Sequence, residues 1–186
     1  MLSRVQSLRA FAAYAVVLFH WNSGVSSQTN FNLPGAHLGT AGVDLFFVIS
    51  GFIMVHVAGR RGGPVNFLFD RAARIVPLYW LALLAVIVLK AVRSWIFEGA
   101  DVSSTSLLSA FLFTPAFDLR GLLMPPLEVG WTLNFEMMFY VLFALSMITA
   151  PKRRLPTLLG LMTLVFAAGT AAPDTSIFSF YGSTLL

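Results

Sequence analysis

The chain has 186 residues, 58 % of them apolar and only 11 % charged, with a net charge of +4 and no cysteine. Soluble domains carry roughly 25 % charged residues, so this chain cannot coat a water-exposed surface, and both a soluble globular fold and a disordered chain are excluded. Without cysteine there is no disulfide framework, no cysteine-bound zinc and no thiol nucleophile.

A helix crossing a ~30 Å hydrocarbon core needs about 20 mostly apolar residues. Five stretches come close, which predicts an all-α polytopic membrane helix bundle. The first span is expected over 8–21, extendable through polar and small residues at either end. Arg4 and Arg9 precede its apolar run as in a signal peptide, but no A-x-A-like cleavage site follows and four more spans come after it, so it is read as a retained helix. Arg9 and His20 are eleven residues apart. That is three turns plus about 20°, which puts both on one face and separates them by about 16 Å of rise.

The second span is expected over 39–58, with Asp44 near its start. Gly35-x-x-x-Gly39 begins in a loop and is assigned no interface role. The third span, over 75–92, sets Pro77 in a first turn, where a missing N–H costs little. Arg71 and Arg74 then stand at its entrance beside Asp70. At i and i+3 the two guanidiniums project to one side, and together they can grip phosphate bidentately. The plainer role for Arg9, Arg71 and Arg74 is to snorkel and orient their helices.

Residues 107–117 are too few to cross and are expected as an interfacial or re-entrant helix, and 59–64 and 122–130 as turn-rich connectors. The fourth span, over 131–149, carries Glu136 roughly 7 to 8 Å inside its outer end, with Tyr140 on the same face at i+4. A carboxylate at that depth can meet His20, with Asp44 a third candidate for the same layer, and such a contact would fix the imidazole tautomer. Plainer roles are a structural hydrogen bond for Glu136, a helix-start acid for Asp44 and an interhelical contact for His20. The fifth span is expected over 155–172, and 179–186 opens like a sixth, so the chain is expected to be part of a larger domain.

With the N-terminus cytoplasmic, Arg4, Arg9, Arg60, Arg61, Arg71, Arg74, Lys152, Arg153 and Arg154 fall inside, and only Lys90, Arg93 and Arg120 fall outside. Positive residues favour the inner side, so the basic excess is topological and no nucleic-acid partner is expected. His20, His37 and His56 are too far apart for a local metal motif, and no H-E-x-x-H, P-loop or G-x-S-x-G elbow occurs. No metal site is expected.

Four motifs stand in a telling order. Ser7-Leu8-Arg9-Ala10 through Phe19-His20, followed by Gly42-Val43-Asp44-Leu45-Phe46-Phe47-Val48-Ile49-Ser50-Gly51-Phe52, resembles the acyltransferase-3 family of bacterial membrane acyltransferases. Arg71-x-x-Arg74-Ile75-Val76-Pro77-Leu78-Tyr79-Trp80 resembles its R-x-x-R segment. Trp131-Thr132-Leu133 with Glu136 and Phe139-Tyr140 resembles its W-S-L-x-x-E-x-x-F-Y segment, with Thr132 where Ser is commoner. Gly51-Phe52-Ile53-Met54 and Pro77-Leu78-Tyr79-Trp80 are most similar to the exopolysaccharide O-acetyltransferase branch.

The resemblance implies that residues 1–186 are the N-terminal part of one membrane domain in a bacterial inner membrane. It implies transfer of an acyl group, usually acetyl from acetyl-CoA, to a hydroxyl of a cell-envelope or exported polysaccharide, with no permanently bound cofactor. Arg71 and Arg74 would hold the donor's phosphates with help from Arg9. His20 would act as base, Glu136 would orient it, and Asp44 and Tyr140 would support them. The rival expectation is a transporter or channel fragment with Arg9, His20 and Glu136 lining a path. That reading gives a phosphate-ready arginine pair no task.

Overall fold

The computed structural model describes residues 2–26, 29, 31, 33–57, 62–96, 104–116, 130–172 and 179–182. Among these the regular elements are all helical: α1 (Leu2–Ser26), α2 (Ala41–Val57), α3 (Pro64–Ile96), α4 (Ser104–Phe111), α5 (Gly130–Ser146), α6 (Arg154–Ala171) and α7 (Ser179–Gly182). They form two compact units, Met1–Arg60 and Arg61–Leu186.

In the first unit α1 and α2 pack as an antiparallel pair around two glycines. A Cβ on Gly42 would lie 2.7 Å from the Ala12 carbonyl oxygen, and one on Gly39 would lie 2.5 Å from that of Ala15. Both glycines therefore belong to the seam, contrary to the expectation for Gly39. A spacing pattern that starts in a loop hides the 3-10 turn Ala36–Thr40, which Gly35 opens with φ 78° and which carries Gly39 onto α1. The connection is tied down by Asn22, a buried residue whose Oδ1 accepts the Leu33 N–H at 2.6 Å.

In the second unit α3 begins at Pro64, eleven residues before the expected start of the third span. Proline suits a first helical position, and the helix that follows buries Phe67. The charged stretch Asp70 to Arg74 thus lies inside the helix instead of leading into it. Pro77 consequently sits in the helix interior, where it leaves the carbonyl four residues back without its usual partner. At 33 residues α3 is about 50 Å long.

α5 runs antiparallel to α3, with Phe67 against Tyr140 and Phe143 near one end. Further along, Leu133 and Met137 pack on the cluster of Tyr79, Leu83, Ala110 and Phe113. The short α4 joins that cluster and is held by the Trp80 indole N–H, which donates to the Phe111 carbonyl at 3.2 Å. Eight residues cannot cross a bilayer, in keeping with the short helix expected there; residue 117 and most of the 122–130 connector lie outside the described residues. α7 packs back on α5 through Phe180, stacked 4.9 Å from Phe135.

The outward faces are apolar: Val65 is 75 % exposed and Leu78 71 %, which only an apolar surrounding tolerates on this scale. Leu38–Val55, Pro64–Leu89 and Pro151–Ala171 are long and apolar enough to cross a membrane. Several hydroxyls are satisfied within their own helix, as in Ser146 to the Phe143 carbonyl on α5 and Thr163 to the Leu159 carbonyl on α6, an arrangement that suits hydrocarbon.

The glycines provide a test of opposite signs. Gly42→Ala forces backbone apart and is expected to cost about 1–3 kcal/mol. Gly160→Ala, whose Cβ meets nothing within 4 Å in α6, should gain about 0.5–1 kcal/mol from helix propensity. Unfolding of the detergent-solubilised protein measures both, and equal effects would refute the tight seam.

Candidate active site

The first unit carries Arg9, His20 and Asp44. Arg9 is half-buried on α1, and its guanidinium carbon lies 5.0 Å from the centroid of the Phe46 ring on α2. α1 continues unbroken to His20, so the two share a face about 16 Å apart. His20 is half-buried and meets the neighbouring Phe19 edge-on at 5.5 Å. Phe19 is in turn packed at Gly39, where a Cβ would lie 2.7 Å from its own. The glycine seam thus sets the depth of the histidine's turn.

The same seam separates Asp44 from His20. With Gly42 beside Ala12, Gly39 beside Ala15 and Phe46 beside Arg9, Asp44 falls level with Phe11, about 13 Å of rise from His20. It is exposed in the first turn of α2, where the helix dipole favours an acid. The shared layer expected for Asp44 and His20 does not form, because span boundaries alone do not fix the antiparallel register.

The second unit brings Arg71, Glu136 and Tyr140 into one chain of contacts. The Arg71 guanidinium carbon sits 5.4 Å from the centroid of the Phe67 ring, one turn earlier on α3. Phe67 meets Tyr140 on α5 edge-on at 6.2 Å. The Tyr140 hydroxyl donates to Glu136 Oε1, one turn back on α5, and both residues are buried. The i+4 pairing read from the sequence is therefore realised. Arg74 is exposed one turn beyond Arg71.

These groups differ in what they still have to offer. The Arg71 Nε is buried without a hydrogen-bond partner, and so is the Tyr79 hydroxyl. Ser50 Oγ and both side-chain polar atoms of Asn134 are in the same condition. Burying a polar group unpaired costs about 1–3 kcal/mol on protein scales, so these positions merit notice. Sequence reasoning passed over Phe67, Ser50, Tyr79 and Asn134 because apolar and small polar residues inside spans look alike. The one available signal was the i, i+4 spacing of Phe67 and Arg71, concealed by starting the third span at residue 75. Among the described residues no three His, Asp or Glu side chains cluster tightly enough to hold a metal ion.

Comparison with known proteins adds sequence relatives. A family described as an acyltransferase domain matches residues 2–185. The chain is 44 % identical over 147 residues to the exopolysaccharide production protein ExoZ of Rhizobium meliloti, covering 77 % of this chain and 46 % of that protein. It is 26 % identical over 198 residues to the peptidoglycan O-acetyltransferase OatA of Listeria monocytogenes, covering 89 % of this chain and 29 % of that protein. Against the putative peptidoglycan O-acetyltransferase YrhL of Bacillus subtilis it is 27 % identical over 187 residues, covering 88 % and 27 %. The chain thus spans less than half the length of each of these relatives. No solved structure matches it.

Two buried tyrosines separate paired from unpaired hydroxyls. Tyr140→Phe strips the donor from a buried carboxylate and should cost about 1–3 kcal/mol. Tyr79→Phe removes a hydroxyl that has no partner and should be neutral or stabilising. Thermal midpoints in one detergent compare them, and a larger loss for Tyr79→Phe would overturn the assignment.

Proposed function

Since the chain belongs to the acyltransferase-3 family, whose match runs through residues 2–185, we propose that it forms part of a membrane O-acyltransferase. The enzyme moves acetyl from acetyl-CoA to a hydroxyl of an exported or cell-envelope polysaccharide, in a bacterial inner membrane with the N-terminus cytoplasmic. The observation that carries this reading is the chain Arg71–Phe67–Tyr140–Glu136: a guanidinium with a free buried Nε on the same helix pair as a hydrogen-bonded carboxylate. The exopolysaccharide and O-acetyltransferase names of the relatives support the acceptor class and the transferred group.

Acetyl-CoA is anionic and cytosolic, and forked guanidiniums suit its phosphates better than ammonium groups would. Arg71 and Arg74 hold that end. A sugar hydroxyl is a weak nucleophile at neutral pH and needs a base, and the imidazole of His20 can accept its proton. In the reaction the hydroxyl oxygen bonds to the thioester carbonyl carbon, the carbon–sulfur bond breaks, and the hydroxyl proton passes through His20 to the coenzyme A thiolate. Glu136, held by Tyr140, supplies a buried carboxylate. A transient acyl-enzyme divides the same chemistry into two transfers, and ping-pong kinetics distinguishes that route from direct attack.

The test is transfer from labelled acetyl-CoA to envelope polysaccharide by the protein in its natural reading frame and membrane. His20→Ala should lower the rate by about 10²–10⁴-fold, the usual worth of a general base. Arg71→Ala should raise the KM for acetyl-CoA. Undiminished transfer by correctly inserted His20→Ala removes the base assignment. Solute movement without acetyl-CoA consumption would establish a transporter instead.

A further inference from the structure

We infer that Phe67 is a positioning residue for the acyl donor, a ring that holds the Arg71 guanidinium by its face so that its N–H edge is left for the donor's phosphates. The inference rests on the proposed role of Arg71 in donor binding and adds the residue that orients it.

A guanidinium has two kinds of surface. Its five N–H donors all point outward in one plane, whereas its flat faces carry positive charge with no directional bond to give. An aromatic ring is attracted to a face and consumes no donor. A carboxylate does the reverse and occupies the edge that phosphate needs. Arg71 lies 5.4 Å from the Phe67 centroid, and its buried Nε, an in-plane donor, is unspent. The side chain is thus steadied without spending that donor.

The ring is itself immobilised. Phe67 is 4 % exposed, with Tyr140 edge-on at an interplanar angle of 87° and Phe143 tilted at 38° and 5.1 Å. Tyr140 also holds Glu136 through its hydroxyl. α5 therefore sets the plane on which Arg71 rests and holds the carboxylate through the same tyrosine. The first unit repeats the device independently, with Arg9 5.0 Å from the Phe46 centroid. A phenylalanine kept only to fill the core would be replaceable by any side chain of its shape, and that difference can be measured.

Coenzyme A is the probe, titrated onto the detergent-solubilised protein in its natural reading frame, with Phe67 replaced by mono-, di- and trifluorinated phenylalanine. Fluorine drains the negative face of the ring but barely alters its shape, so the apo thermal midpoint should hold. Affinity for coenzyme A should fall stepwise, by roughly two- to five-fold at full fluorination. Phe67→Leu should lose at least as much, and in acetyl transfer its KM for acetyl-CoA should rise with the acceptor KM unchanged. Constant affinity across the fluorinated series, with binding still lost in Arg71→Ala, overturns the role of Phe67 and leaves the donor site standing. Unchanged binding in Arg71→Ala overturns both.

Discussion

A guanidinium cannot enter hydrocarbon without something to replace its water, and this constraint shapes both units. The cost of an arginine at mid-membrane is at least ~2.5–3.5 kcal/mol on insertion scales. Arg9 and Arg71 each meet it with a phenylalanine face, Phe46 across the α1–α2 seam and Phe67 one turn away on α3. Each solution imposes geometry on its surroundings. Arg9 can reach Phe46 only because Gly39 and Gly42 let the two helix backbones approach. Arg71 can stack on Phe67 only because α3 is already helical from Pro64.

The same shortage of water governs the neutral polar groups. Ser146, Thr149, Thr163 and Thr170 bond carbonyls of their own segments, which makes them indifferent to what packs alongside. Glu136 uses a tyrosine one turn on, again within its own helix. Against that background, a guanidinium Nε and a hydroxyl left buried and unpaired on α3, an amide on α5, a hydroxyl on α2 and the Arg154 Nε on α6 stand out. Function and packing compete at such positions. A donor that satisfied itself locally would have nothing left for a phosphate oxygen.

Arg71 and the buried carboxylate lie on one helix pair, which changes how the transfer proposed above is pictured. Separate inner and outer layers would require an acetyl group to travel between them. The links from Arg71 through Phe67 and Tyr140 to Glu136 instead span neighbouring turns of α3 and α5. Displacing either helix along the other would disturb both ends at once. The positions of the Arg71 guanidinium and of the Glu136 carboxylate are mechanically joined.

The sequence by itself determined the apolar solvent, the helical class, the order of the helices and the i+4 pairing of Glu136 with Tyr140, because these follow from composition, periodicity and local spacing, and four motifs in order pointed to the family. The start of α3, the placing of Pro77 within that helix and the role of Gly39 were decided by tertiary structure. So was the distance between Asp44 and His20, since register between antiparallel helices depends on which side chains are small enough to let backbones touch. Phe67 is the clearest case. In the sequence it is one of 18 phenylalanines, and only the packing of α3 on α5 puts its ring between a guanidinium and the tyrosine that holds Glu136. Cation–π and edge-to-face contacts act over a few ångströms and a narrow range of angles, and residue spacing does not encode those quantities.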